Sequence, residues 1–244
     1  MLQQGSGAGL EPGAPKGRIS RGSHLCQGHR PGLCHAHQDD ILSHLASVRR
    51  TRHTMAIQRQ LYTVAEFERF LALSEHRDRF FELIHGEIVE KAPTEEHGLI
   101  AGNLCGFLWQ YTRQSGIGRA VIEVRVRMPE DDYNSRQPDL AVFVDTTRPV
   151  VTRGPVLQMP DVVIEVKSPD DTYASMRERA AYYLAHGARL VWLLYPAKCL
   201  VEVYRQGADS DILTGTDTLQ GEEVLPGFAL PVREIFALPQ VQNV

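Results

Sequence analysis

The sequence predicts an α/β protein, a mixed central sheet flanked by helices. Two observations carry this. The first is a pair of apolar, β-branched runs, each opened by Pro-Asp: Pro138-Asp139-Leu140-Ala141-Val142-Phe143-Val144 and Pro160-Asp161-Val162-Val163-Ile164-Glu165-Val166-Lys167. A continuous run of this kind, with proline just outside it, reads as a strand buried on both faces. The second is helical spacing on either side of these runs. Ile100, Leu104, Phe107, Leu108 and Tyr111 form one apolar stripe, and Met176, Ala180, Tyr183 and Leu184 form another.

Composition narrows the class. A chain of 244 residues, 43% hydrophobic, can bury a sizeable core. No apolar run approaches membrane-spanning length, and no signal-peptide stretch opens the chain. Cys26, Cys34, Cys105 and Cys199 are scattered, which argues against a disulfide framework and for a reducing cytoplasm. A net charge of −4 gives no general pull on nucleic acid, so any DNA contact needs a local basic surface.

The elements follow in order. Residues 1–54 read as a disordered N-terminal arm, because Gly5, Gly7, Gly9, Pro12, Gly13 and Pro15 break any periodicity. Within the arm, residues 40–48 have the spacing of a short helix. Cys26, His29, Cys34 and His37 are metal-ligand types, but their spacing matches no zinc module. The domain spans residues 55–244. Thr63-Val64-Ala65-Glu66 is a capping box opening a helix that ends near residue 74. Residues 80–84 and 87–91 form a hairpin around His85-Gly86, where glycine supplies the positive φ of a tight turn. Glu82 in this hairpin is either an active-site carboxylate or a solvent-facing strand residue.

A helix from about residue 96 carries His97 in its first turn. There the helix dipole suits anion contact, although a hydrogen bond to the adjacent loop explains the residue equally well. Residues 121–128 alternate, with Ile122, Val124, Val126 and Met128 on one face and Glu123, Arg125 and Arg127 on the other. This predicts a half-exposed strand whose arginines either contact phosphate or form a solvated face. Arg136 precedes the first central strand and joins the phosphate-contact candidates. After Lys167, Ser168-Pro169-Asp170-Asp171-Thr172 leads into a helix bearing Arg177 and Arg179. Residues 189–195 and 199–205 form two further strands, and the tail returns to pack on the sheet.

Charges in the second apolar run are confined to its ends. Side chains alternate, so Glu165 and Lys167 share a face, roughly 6.6 Å apart along the strand. Placing them at the end of a buried strand is expensive unless a metal, a phosphate or each other compensates. Asp161 is about 13 Å from Glu165 along the same strand, too far to share one ion. Asp139 is on another strand. If the two strands are neighbours, about 4.8 Å apart, Asp139 and Glu165 can meet at one hard cation.

Pro138-Asp139 followed by Glu165-Val166-Lys167 resembles the PD-(D/E)XK nuclease signature. The surrounding segments extend the likeness: Glu82-Leu83-Ile84-His85-Gly86-Glu87-Ile88-Val89, then residues 93–97, Tyr183-Leu184-Ala185-His186-Gly187, Val191-Trp192-Leu193 and Leu225-Pro226-Gly227, all in order. Over residues 62–238 the chain resembles the Uma family of bacterial restriction-endonuclease-like proteins. The family usually has Asp where His85 stands, and many relatives carry lysine near position 179 but none at 167. The resemblance implies a restriction-endonuclease-like fold and a metal-dependent endonuclease hydrolysing DNA phosphodiester bonds. It implies Mg²⁺ or Mn²⁺ held by Asp139, Glu165 and the Val166 carbonyl, with Lys167 orienting the nucleophile and Glu82 adding a carboxylate. His97, Arg125, Arg127, Arg136 and Arg179 are then the nucleic-acid contact candidates, Arg179 either steering phosphate or pairing with a glutamate. DNA is the implied partner, and the resemblance admits a homodimer. There are two rivals: a non-catalytic nucleic-acid or protein-binding module on the same fold, and a metal-dependent hydrolase acting on something besides DNA, which the acidic net charge leaves open.

Overall fold

The computed structural model describes residues 60–239. The predicted arm, its short helix and the Cys26/His29/Cys34/His37 set lie outside the described residues. The described residues all belong to one unit, Ile57–Val244.

The first helix, α1 (Val64–Leu71), starts at the predicted capping box: the Thr63 side chain accepts from Glu66 N, and the Glu66 carboxylate accepts from Thr63 N. Its apolar side, Val64 and Phe67, covers Phe81 and Leu83 of a hairpin, β1 (Phe80–Ile84) and β2 (Glu87–Lys91). His85 and Gly86 form the turn with φ of 49° and 81°, as a tight hairpin with right-handed strand twist requires. The hairpin is a sheet of its own. It is tied to the rest through a reciprocal pair of bonds between Leu83 and Ser135, each amide donating to the other's carbonyl at 2.9 Å.

The next helix, α2 (Glu95–Ser115), is capped by Thr94 and stops at Gly116, whose φ of 73° ends it. The main sheet follows: β3 (Arg119–Ile122), β4 (Leu140–Phe143), β5 (Val162–Val166), β6 (Leu190–Tyr195), β7 (Leu200–Arg205) and β8 (Asp211–Leu213). These six strands lie side by side in chain order, with only β5 and β6 parallel. Helix α3 (Tyr173–Ala185) makes the crossover a parallel pair demands.

Alternation along the strands divides the core. Val162, Ile164 and Val166 pack with Leu190, Trp192 and Leu194 beneath Ile100, Leu104 and Leu108 of α2. Val163, Val191, Leu193 and Tyr195 face Met176, Ala180 and Tyr183 of α3. Every residue of β4, β5 and β6 is buried, as their unbroken apolar runs predict. The tail adds β9 (Thr218–Gln220), β10 (Ala229–Pro231) and α4 (Val232–Ile235), and closes over α2. Among the described residues no helix is long and apolar enough to cross a membrane.

One predicted element is shorter than its pattern. The alternation over 121–128 promises a strand, but β3 ends at Ile122, which is 61% exposed. Glu123 takes a left-handed φ of 49°, and its carboxylate is drawn to Lys91 and Gln137. Beyond it the chain makes only isolated bridges, with Val126 pairing to Arg136 and Val156.

Candidate active site

The register of β4 on β5 sets Leu140 opposite Ile164, so Asp139 and Glu165 come next in the same ladder. Opposed residues of an antiparallel pair share a face. The two carboxylates therefore meet at the end of the sheet, beside the N-terminus of α2 and the middle of α3. Both residues are 3% exposed. They line a cleft of about 200 Å³ together with Lys91, Pro93, His97, Val166, Ser168, Asp170, Asp171 and Arg179.

Asp139 is held on both oxygens. Its Oδ2 accepts from Val166 N at 2.8 Å, a bond made by the neighbouring strand's own backbone. Its Oδ1 accepts from Lys91 Nζ at 2.6 Å. His97 Nε2 lies 3.2 Å from Oδ2 without the alignment of a hydrogen bond, while His97 Nδ1 is 3.3 Å from Ser168 Oγ. Burial works against the Asp139 carboxylate, yet His97 and Lys91 outweigh it and hold the pKa down at about 2. Burial likewise opposes charge on His97, but Asp139 raises its affinity for a proton.

Glu165 is in the opposite condition. Its Oε1 accepts from Tyr183 OH at 2.6 Å, and Arg179 Nη1 is 3.5 Å away. Burial dominates, Asp139 and Glu82 add to it, and Arg179 compensates only in part, so the pKa is pushed up to about 7. Arg179 is divided between two acids, since the same Nη1 donates to Glu82 Oε2 at 2.8 Å. Glu82 is wholly buried, and its Oε1 accepts from Gln137 N at 2.7 Å. Of its two sequence readings, the solvent-facing one is excluded: Glu82 stands behind the cleft and fixes Arg179.

Lys91 carries no signal of its own in the sequence. At the end of a half-exposed strand it looks like a solvated charge. Its Nζ instead donates to Asp139 Oδ1, to the Gln137 carbonyl at 2.8 Å and to Glu123 Oε2 at 3.1 Å, with only 12% of the side chain exposed. Burial opposes this ammonium, but Asp139, Glu165, Glu82 and Glu123 outweigh it and raise its pKa. The one available clue is position, two residues before the Pro93–His97 segment. Tyr183 is also missed, because its spacing is that of a core stripe.

Lys167 does not line the cleft. Val166 is the last residue of β5, and the Lys167 amide still donates to the Leu194 carbonyl of β6. Lys167 Nζ donates to the Ser168 carbonyl at 2.9 Å and lies 5.9 Å from the Tyr173 ring centroid, in an adjoining cavity with Thr94, His97 and Tyr195. The arginine candidates scatter too. Arg136 is wholly buried, paired with Glu178 and stacked over Tyr182, so no phosphate backbone can reach it. Arg125 pairs with Glu68 and lies over Phe67. The backbone amide of Arg127 donates to the Val156 carbonyl, and its Nε is buried. Asp161 is at the other end of β5, where Oδ2 accepts from Val144 N.

The family profile of Uma2, described as "Putative restriction endonuclease", matches residues 65–233. The chain belongs to the Uma2 family. Asp139, Glu165, Lys91 and Arg179 all fall inside the matched span. A solved structure is similar in fold, that of a "putative nuclease belonging to DUF820" from Anabaena variabilis ATCC 29413. It has 25% sequence identity and a TM-score of 0.60, covering 69% of this chain and 96% of that one. No curated protein matches. Family and neighbour both point to a nuclease.

Among the described residues no group of three or more His, Cys, Asp and Glu is arranged to ligate a metal. The cleft still fits a hard cation by donor type, with two carboxylates and a strand-end carbonyl. An ammonium already rests on Asp139 Oδ1, and Glu165 is short of positive charge. Both facts fit a place for a cation.

Proposed function

We propose that this Uma2 protein is a metal-dependent endonuclease that hydrolyses phosphodiester bonds of DNA, with Mg²⁺ or Mn²⁺ held by Asp139, Glu165 and the Val166 carbonyl. The observation that carries the reading is the meeting of Asp139 and Glu165 across β4 and β5 in a cleft where Glu165 remains under-compensated. When bound, the ion would supply an acidified water and neutralise charge on the phosphate.

The chain's own residues do the positioning. Val166 N fixes the rotation of the Asp139 carboxylate, and Tyr183 fixes one oxygen of Glu165. Glu82 keeps Arg179 at the cleft wall, where a guanidinium can pair with a phosphate oxygen. His97, at the first turn of α2, keeps its enclosed Nε2 beside Asp139 Oδ2 and its Nδ1 beside Ser168 Oγ, so it bears on the carboxylate and not on a phosphate. Burial of both carboxylates lowers the local dielectric, which strengthens each of these interactions.

One observation favours the rival binding module: Lys91 already neutralises Asp139. That rival requires binding of nucleic acid or of a protein without turnover. Supercoiled, linear and single-stranded DNA, and RNA, incubated with Mg²⁺ or Mn²⁺ separate the two. The nuclease reading expects cleavage of DNA that Asp139→Asn abolishes and Asp161→Asn preserves. Binding with no cleavage under any divalent ion would hand the site to the rival.

A further inference from the structure

We propose that Lys91 supplies the ammonium group of this site, and that it keeps the divalent cation's place on Asp139 until the cation binds. The inference rests on the reading that Asp139 holds the cation. Three features of Lys91 argue for it.

The first is position. Lys91 ends β2 and lines the cleft, whereas Lys167, nominated by the Glu-x-Lys spacing, turns to the Ser168 carbonyl in the adjoining cavity. The site then draws its amine from the hairpin and not from β5. The second is enclosure. With 12% of its side chain exposed and three oxygen partners, Lys91 has been withdrawn from water to reach Asp139. Such a placement needs the carboxylate, and the carboxylate needs a cation.

The third is that its partners are of two kinds. An ammonium 2.6 Å from Asp139 Oδ1 occupies the lone pairs a metal would use. A divalent ion and this ammonium repel each other, so they exclude one another from Oδ1. The Gln137 carbonyl and the Glu123 carboxylate are separate from that exchange. They retain the amine at the cleft wall once Asp139 is taken by the ion. There its charge faces an incoming phosphate, which is the role the reaction asks of an ammonium.

Calorimetric titration of the full chain with Mn²⁺ tests the exchange directly. Removing a competing cation should tighten binding, so Lys91→Gln is expected to bind Mn²⁺ on the order of tenfold more tightly than wild type, whereas Lys167→Gln should bind it as wild type does. At saturating Mn²⁺, single-turnover DNA cleavage should fall on the order of 10²-fold in Lys91→Gln and less than about threefold in Lys167→Gln. Unchanged or weaker Mn²⁺ binding by Lys91→Gln overturns the proposal, as does a wild type that binds no Mn²⁺. A wild type that shows the exchange but cleaves nothing sinks the nuclease reading and leaves the exchange standing. Should Lys91→Gln not fold, amine acetylation of wild type replaces it. Modification of the Lys91 peptide, read by mass spectrometry, is expected to rise on saturation with Ca²⁺. No rise would count against displacement.

Discussion

Two glutamates stand in one row of this sheet. Glu165 of β5 is opposite Leu193 of β6, and Leu193 is opposite Glu202 of β7. The two carboxylates therefore share the α3 face, about 9.6 Å apart. Both are nearly enclosed, at 3% and 4% exposure. Their surroundings differ completely. Glu202 receives Arg177 Nη2 at 2.6 Å and the hydroxyls of Tyr195 and Tyr204, each at 2.8 Å. Burial opposes its charge, but these donors outweigh burial and lower its pKa. Glu165 receives one hydroxyl and a distant share of an arginine, and its pKa rises to about 7. A buried carboxylate that is fully satisfied belongs to the framework. One left short of donors, facing a cleft, retains capacity for a cation.

Exchanging each acid for its amide is the most direct way to break this comparison. Glu165→Gln should lower Mn²⁺ affinity by on the order of 10²-fold, and cleavage with it, while Glu202→Gln keeps both within about threefold. Calorimetry giving equal losses would erase the distinction. Stability should run the other way. In metal-free buffer at pH 7.5, Glu202→Gln is expected to cost about 2 kcal/mol, because it strands donors around a buried position. Glu165→Gln should be no less stable than wild type, and urea unfolding reads both values.

The smallest effect is also the most specific. The folded pKa of Glu165, about 7, lies above its usual 4.5, so between those values the folded state binds more protons than the unfolded one. Its contribution is fully present below pH 4.5 and is lost as pH rises through 7. Melting temperature without metal should therefore fall more steeply over that window in wild type than in Glu165→Gln. Glu202 has the opposite shift, so Glu202→Gln should remove a contribution present above pH 4.5 and lost in acid. Parallel wild-type and Glu165→Gln curves between pH 4.5 and 7 would refute the assignment.

Much of the framework was legible in the sequence because it depends on local pattern. The β5 run has one buried charge in an unbroken apolar stretch, which singles out Glu165, and Pro-Asp before β4 supplies its partner. The capping box at Thr63 and the His85-Gly86 turn are local chemistry, and both form as written. What was illegible depends on docking between elements. Lys91 reads as a surface charge until the hairpin is set against β4. Tyr183 has the spacing of core, and it is core, except for the hydroxyl that reaches Glu165. Arg136 reads as a phosphate contact only while Glu178 and Tyr182, more than forty residues away in sequence, are out of view. Lys167 keeps its backbone bond to β6, but its long side chain turns to the Ser168 carbonyl, a choice that strand alternation does not specify.

The turn at His85 and Gly86 touches nothing in the cleft, yet it fixes the pairing that sets Glu82 opposite Val89 and Phe80 opposite Lys91. Glu82 and Lys91 therefore lie on one face of the hairpin, while Phe81, Leu83 and Ile88 lie under α1 on the other. With β1 anchored at Ser135, one additional residue in the turn would shift β2 by a single place and turn Lys91 toward α1. A three-nucleotide insertion at these two codons would preserve the reading frame and every side chain of the site, and still strip Asp139 of its ammonium. Length variation in this turn is thus under the same constraint as the identity of the cleft residues.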